Sequence, residues 1–391
     1  MTQGFSHLRR TLDLPWCPNP VTGSAAVFLW GPRQTGKTTL LRQAFPGAHT
    51  YDLLDTSLCA DLSVTPRLLR EQVLGSRPPV VVVDEVQKIP ALLEEVHWLL
   101  EHAATRFVLC GSSARKLRRS AHHLLGGRAI EHRMLPLTTA ELPDLDLARY
   151  LNHGGLPIHY LADDPGPRLR AYVNAYIREE IIDESATRNV PAFTRFLQVV
   201  GLTHGQQLNY ANISRETGVS PSTVRAYYRI LDDTLLGFTL EPWRRAGRRR
   251  LVETAKYYLF DVGVARALRP EMPPAVAGSD LFGWAFEHFL INEVRACLAY
   301  TRRERMLTYW RTHSGFEVDL IVGDMDVALA FKSGREVRDA DLRGLRALAE
   351  DQRPRRSLVV ARVEERRRTG DGIEIVPWRE FCGELWGGGV V

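Results

Sequence analysis

The apolar residues of the N-terminal third fall in short continuous runs. Ala25 to Trp30, the four valines within PPVVVVDEVQKIP (78–90) and RFVLC (106–110) are the clearest. A β-branched run bounded by polar residues predicts a strand buried on both faces, as in a parallel sheet. HTYDLLD (49–55) and Ile130 to Leu135 read as further strands, and Thr39 to Ala44 as a helix. The pattern shifts near Pro143, and Leu169 to Ser185 carries apolar residues at helical spacing. A short helix is predicted over Tyr210 to Thr217, with a turn at Gly218. Ser220 then suits an N-cap and Pro221 the first position of a second helix, with Val224, Tyr228 and Leu231 facing a core. Further on, GWAFEHFLINEVR (283–295) has the spacing of an amphipathic helix, FEVDLIV (316–322) alternates as a strand, and VALAFKSG (327–334) reads as another strand. A helix over Asp339 to Glu350 and a strand over Leu358 to Arg362 complete the pattern. The expected class is α/β: a parallel sheet over 1–142, a helical segment over 143–250 and a second α/β domain over 251–391.

Chemistry enters at the end of the first run. Residues 31–38 read GPRQTGKT, which fits the P-loop pattern between a strand and a helix. Gly31 and Gly36 let the backbone curl so that its N–H groups hold phosphate oxygens. Pro32, Arg33, Gln34 and Thr35 span the arc between them, and Thr39 leads into the helix. Lys37 supplies a point charge for the β- and γ-phosphates, Thr38 a hydroxyl for Mg²⁺, and the helix N-terminus a partial positive charge. About 45 residues later the valine run ends in Asp84-Glu85, at the strand end where ligands sit in open α/β sheets. Asp84 suits Mg²⁺ held through water, and Glu85 suits orienting and deprotonating an attacking water. Ser112, after the next run, reads as a sensor of the γ-phosphate or water, as a helix N-cap, or as both. Arg128, after LLGG, reads as an arginine finger in cis or in trans, or as an Arg on a solvated turn.

The series WGPRQTGKTTLLRQ, VVVVDEVQKIP, VLCGSSARKL and LLGGRA resembles the prokaryotic AAA+-type P-loop ATPases known as ATP-binding proteins, whose C-terminal half is a domain of unknown function. The resemblance implies ATP and Mg²⁺ as cofactors. It places the P-loop lysine, Mg²⁺-ligating threonine, Walker B aspartate, catalytic glutamate and sensor on Lys37, Thr38, Asp84, Glu85 and Ser112. Arg128 takes the family's Gly-Arg position. A homo-oligomeric ring with ATP between subunits is expected from this resemblance alone.

Composition narrows the setting. The chain has 391 residues, 45% hydrophobic and 25% charged, which is ordinary for a folded protein with ample core. No apolar run approaches the ~18 residues of a membrane span, and no signal-peptide core opens the sequence, so a cytoplasmic location without membrane insertion is expected. The five cysteines are scattered without metal-ligand spacing and read as buried free thiols. A net charge of +5 permits nucleic-acid contact. Only Lys37, Lys88, Lys116, Lys256 and Lys332 interrupt an otherwise all-arginine basic set. A lysine against that background marks a place where arginine cannot serve.

The C-terminal half holds two further signals. Residues 208–240 read as a helix-turn-helix within a winged helix, with Arg225 and Arg229 on one face suited to phosphates or guanine edges. The run containing Arg248, Arg249 and Arg250 falls at the position of a wing and suits phosphate binding or simple solvation. Glu287, Asp319 and Lys332 then have the spacing of a PD-(D/E)XK nuclease. The carboxylate expected two residues before the lysine is replaced by Ala330, which cannot ligate a metal. Glu287 would compensate in part, and Glu317 would share the face of Asp319. AKYYLFDVGVARAL, GWAFEHFLINEV, YWRTHSGFEVDLIV and ALAFKSG resemble the same family's C-terminal domain, with a degenerate nuclease-like fold. The expected function is a Mg²⁺-dependent ATPase whose C-terminal half binds DNA. The alternatives are a nucleotide-gated switch acting on a protein partner and an active ATP-regulated nuclease.

Overall fold

The continuous apolar runs form the centre of a parallel sheet. Its strands are β1 (Ala25–Trp30), β2 (His49–Asp52), β3 (Val80–Asp84), β4 (Arg106–Gly111) and β5 (Ala129–Arg133), in the order β2-β3-β4-β1-β5. Each neighbouring pair is parallel. β1 is buried throughout, and β3 and β4 are buried beyond their first residue. The edge strands β2 and β5 keep exposed polar positions. Central strands covered on both faces and half-exposed edges are what a sheet sandwiched between helices requires. The computed structural model describes residues 8–113, 125, 129–177, 189–244 and 249–391.

The chain divides into two compact units. One is Met1–Leu135 with Asp233–Leu236, and the other is Pro136–Asp232 with Gly237–Val391. In the first unit, α3 (Arg67–Ser76) and α4 (Leu92–His102) send Leu69, Val73, Leu93, Val96 and Leu99 into one core with Phe28, Val81, Val83 and Leu109. Asp55 caps α2 (Thr56–Val64) by accepting from the Ser57 and Leu58 N–H groups. α1 (Lys37–Ala44) begins directly after the left-handed Gly36. The register pairs Trp30 with Gly111 and Val83 with Leu109, so the loops after β1, β3 and β4 emerge along one edge. This architecture fits a P-loop NTPase fold.

The second unit takes in helices and a mixed eight-stranded sheet. A helix over Pro165–Ala171 passes into a π-helix over Tyr172–Ile177, and the rest of the stretch expected to be helical up to Ser185 lies outside the described residues. Helices over Tyr210–Thr217 and Pro221–Asp233 meet at Gly218 (φ 70°), and Ser220 Oγ accepts from the Thr223 N–H at 3.2 Å. Val224, Tyr228 and Leu231 are buried, as the spacing requires. The sheet runs β12-β13-β11-β10-β9-β8-β6-β7. Its strands are β6 (Gly237–Pro242), β7 (Lys256–Leu259), β8 (Leu307–Arg311), β9 (Glu317–Val322), β10 (Val327–Lys332), β11 (Arg356–Ala361), β12 (Arg367–Arg368) and β13 (Glu374–Pro377). The helix expected over 283–295 extends over Asp280–Tyr300, because Ser279 caps it upstream by accepting from the Phe282 N–H. β12 is two exposed arginines paired with β13 at the sheet's end.

No helix among the described residues is long and apolar enough to cross a membrane. All five cysteines are free, but the expectation that all are buried holds only for Cys110, Cys297 and Cys382. Cys17 is exposed because the proline-flanked segment around it forms no helix or strand that could pack. His159 is buried with its ring edge-on to Tyr172, and neither ring nitrogen has a partner among the described residues. Burial, with Arg168 nearby, lowers its pKa to about 4. A neutral buried imidazole favours the fold fully above its ordinary value of 6.5, and that contribution is lost as pH falls towards about 4. The His159→Phe variant keeps the ring and cannot take up the proton. Its unfolding midpoint relative to the wild type should therefore rise progressively between about pH 7 and pH 4.5. A difference constant over that range in thermal melts would contradict this.

Candidate active site

The loop between β1 and α1 is shaped by two glycines. A Cβ on Gly31 would stand 2.6 Å from the Met134 carbonyl oxygen, so only glycine fits there. Gly36 has φ 95° and Gln34 φ 65°, the left-handed turns that curl the loop. Thr35 is buried and its hydroxyl donates to the Pro32 carbonyl at 2.8 Å. Arg10 ties the loop from outside, donating to the Thr35 carbonyl at 2.5 Å and the Leu135 carbonyl at 2.7 Å. Lys37 is buried, and its ammonium donates to the Gly31 carbonyl at 2.7 Å and the Pro32 carbonyl at 3.1 Å. These bonds keep a buried charge satisfied. Pro32 is buried, Arg33 half-buried, and Thr39 exposed on the first turn of α1.

The strand ends bring the other expected residues to this loop. Thr38 Oγ1 donates to Asp84 Oδ2 at 2.9 Å, joining the start of α1 to the end of β3. A hydroxyl and a carboxylate side by side are hard oxygen donors suited to Mg²⁺. Glu85 follows in a left-handed conformation (φ 57°). Its carboxylate oxygen Oε2 accepts from Ser112 Oγ at 3.2 Å, and also from Gln87 Nε2. Glu85, Gln87 and Ser112 are all buried. The structure thus gathers Lys37, Thr38, Asp84, Glu85 and Ser112 at one edge of the sheet. Arg128 and the helix that Ser112 was read as capping lie outside the described residues.

Residues 23–143 match the model of the AAA domain. Over those residues the chain is similar to AAA-type P-loop domains. Residues 144–274 and 282–381 match two domains of unknown function, DUF8612 and DUF4143. The chain is 27% identical over 362 residues to uncharacterized proteins of Mycobacterium bovis and Mycobacterium tuberculosis, covering 90% of this chain and 79% of each relative. An uncharacterized protein of Haemophilus influenzae is 23% identical over 268 residues, 60% of this chain and 67% of that protein. Among solved structures, the Aeropyrum pernix ORC1 protein in complex with DNA aligns at 14% identity and TM-score 0.27, covering 62% of this chain and 86% of that one.

In the second unit Glu287 and Glu317 meet around a lysine that the spacing did not single out. Lys256, on β7, is buried and pairs with Glu317 at 2.6 Å and Glu287 at 3.3 Å. Tyr258 donates to the same Glu287 oxygen at 2.6 Å, and Arg311 holds the other Glu317 oxygen at 2.6 Å. Burial alone would push the Lys256 pKa down, but Glu287, Tyr258, Glu317 and Asp319 outweigh it and hold the ammonium well above its ordinary value. Asp319 is buried and accepts from the Phe331 N–H at 2.7 Å. Burial and Glu287 raise its pKa against the pull of Lys332 and Lys256. Ala330 is buried on β10. Among the described residues no group of three His, Cys, Asp or Glu is arranged to hold a metal ion. An internal ammonium stands between the carboxylates instead.

Of the arginines read as nucleic-acid contacts, Arg225, Arg229 and Arg250 are exposed, and Arg225 lies over the Tyr210 ring at 4.9 Å. Arg249 is committed to Glu350 and Asp351 and to the Phe316 ring. Arg248 lies outside the described residues. No sequence pattern singles out Arg10 or Gln87, and Lys256 leaves a trace only as a lysine in an arginine-rich chain. Removing the buried Lys256 charge takes the shared counter-ion from two half-buried carboxylates, which then keep Tyr258 and Arg311, so Lys256→Met should cost at least about 2 kcal/mol in urea unfolding. Lys332, half-buried and outside any ion pair among the described residues, should cost under about 1 kcal/mol as Lys332→Met. Equal costs would refute the assignment of Lys256 as the internal counter-ion.

Proposed function

We propose that this protein is a Mg²⁺-dependent ATPase whose C-terminal half binds DNA, so that ATP turnover is coupled to an action on nucleic acid. The observation that carries the ATPase reading is the meeting of Lys37, Thr38, Asp84, Glu85 and Ser112 at the ends of β1, β3 and β4. In this reading the loop N–H groups and the start of α1 hold the phosphates. Lys37 exchanges its loop carbonyls for phosphate oxygens. Thr38 and Asp84 are the residues that would hold Mg²⁺, which supplies charge neutralisation on the phosphates. Glu85 orients a water and takes its proton, and Ser112 senses the γ-phosphate or that water. The AAA resemblance implies a ring with ATP between subunits and Arg128 as its candidate finger. On this basis Lys37→Ala should lose nucleotide binding and turnover. Glu85→Gln should bind ATP with near-wild-type affinity and hydrolyse it at least about a hundredfold more slowly. Wild-type turnover in Glu85→Gln, measured by phosphate release, would overturn these roles.

The DNA reading rests on the exposed Arg225 and Arg229 along Pro221–Asp233, within a basic chain. Arg249 favours a second reading at the wing position, because its guanidinium is already spent on Glu350 and Asp351. In that second reading ATP gates docking of a protein partner. The two separate in one experiment: ATP turnover with and without single-stranded, duplex and branched DNA. Stimulation by DNA, together with binding that weakens steeply with salt and is reduced in Arg225→Ala/Arg229→Ala, is the expected result. Turnover indifferent to DNA, with no salt-dependent binding, would remove DNA as the substrate.

A further inference from the structure

One polar side chain beside Glu85 has no role in the reading above, on which the following rests. The left-handed Glu85 turns the chain sharply out of β3 into a single 3-10 turn over Val86–Lys88. That reversal returns the side chain of Gln87 to the carboxylate two residues before it. Its Nε2 donates to Glu85 Oε2 and to Ser112 Oγ, the latter at 3.0 Å. Ser112 Oγ donates in turn to the same carboxylate oxygen. Both hydrogens of the amide are therefore used on the two residues assigned to base and sensor. Its oxygen, by contrast, has no partner among the described residues. It lies against Gly111, where a Cβ would collide with it. A methionine of similar length would fill the same space without a stranded amide oxygen, so packing alone does not explain a glutamine here. The other oxygen of Glu85 accepts no hydrogen bond among the described residues.

We propose that Gln87 is the positioning residue of Glu85. It fixes Oε2 together with Ser112, leaves Oε1 for the proton of the attacking water, and transmits any shift of Ser112 to the carboxylate. Two donors on one oxygen set the rotamer of a side chain that would otherwise rotate freely, and a base works only when held in reach of its proton.

The test uses the full chain as wild type, Gln87→Ala, Gln87→Met, Ser112→Ala, Gln87→Ala/Ser112→Ala and Glu85→Gln. Steady-state phosphate release gives kcat, and titration with a fluorescent ATP analogue gives nucleotide affinity. Both Gln87 variants should lower kcat about ten- to a hundredfold while affinity stays within about threefold. The double variant should be no slower than the slower single, because both residues act through one carboxylate. The methionine variant preserves the packing if the alanine variant fails to fold. Wild-type kcat in Gln87→Met, with Glu85→Gln inactive, would overturn the positioning role and leave the ATPase reading standing. Parallel losses of kcat and affinity in both Gln87 variants would mark a packing role and also overturn it. No hydrolysis by the wild type, or full hydrolysis by Glu85→Gln, would overturn both.

Discussion

The candidate site depends on the absence of a side chain at Gly31, where a Cβ would stand 2.6 Å from the Met134 carbonyl oxygen. The Met134 N–H takes the Trp30 carbonyl, and the Gly31 N–H takes the Gly111 carbonyl. The loop is therefore gripped on one side by the end of β4 and on the other by the chain leaving β5. Arg10 closes the grip by donating to the Thr35 carbonyl of the loop itself and to the Leu135 carbonyl of the chain leaving β5. With the loop held by backbone, the helix that follows it starts at a fixed point. Thr38 then meets Asp84 at the end of β3.

Buried charge is managed by the same economy in both units. Lys37 and Lys256 are buried where a compact ammonium fits between few acceptors, while the buried Arg10 and Arg266 each reach two acceptors further apart. Lys37 rests on two carbonyls, and Lys256 sits between two carboxylates. Arginine is used where it can spread over a surface, as Arg356 and Arg366 do among Glu374, Glu380 and Glu384.

Much of this was legible in the sequence because its signals are local. The P-loop, the valine run ending in Asp84-Glu85, and the Gly218-Ser220-Pro221 junction each lie within a few residues, and local backbone chemistry dictates them. What could not be read depends on pairings between distant segments. Arg10 acts on Thr35 and Leu135, far along the chain, and nothing near it marks the role. Gln87 lies inside a motif, but its function follows from the unusual backbone of Glu85, which residue type does not predict. Lys256 was visible as an oddity of composition, yet its carboxylates come from Asp280–Tyr300 and β9. The exposure of Cys17 was missed because residue type suggested burial where the segment offers no packed element.

The two-residue strand β12 bears on behaviour outside any active site. A sheet of eight strands would ordinarily offer a long bare edge on which another chain could continue the ladder. Here the outermost strand is only Arg367 and Arg368, both exposed. A strand so short offers few free backbone groups, and two positive charges side by side repel a like strand from a second molecule. At this margin the fold guards itself against runaway self-association, and it does so with the residue that the chain has in greatest supply among its cations.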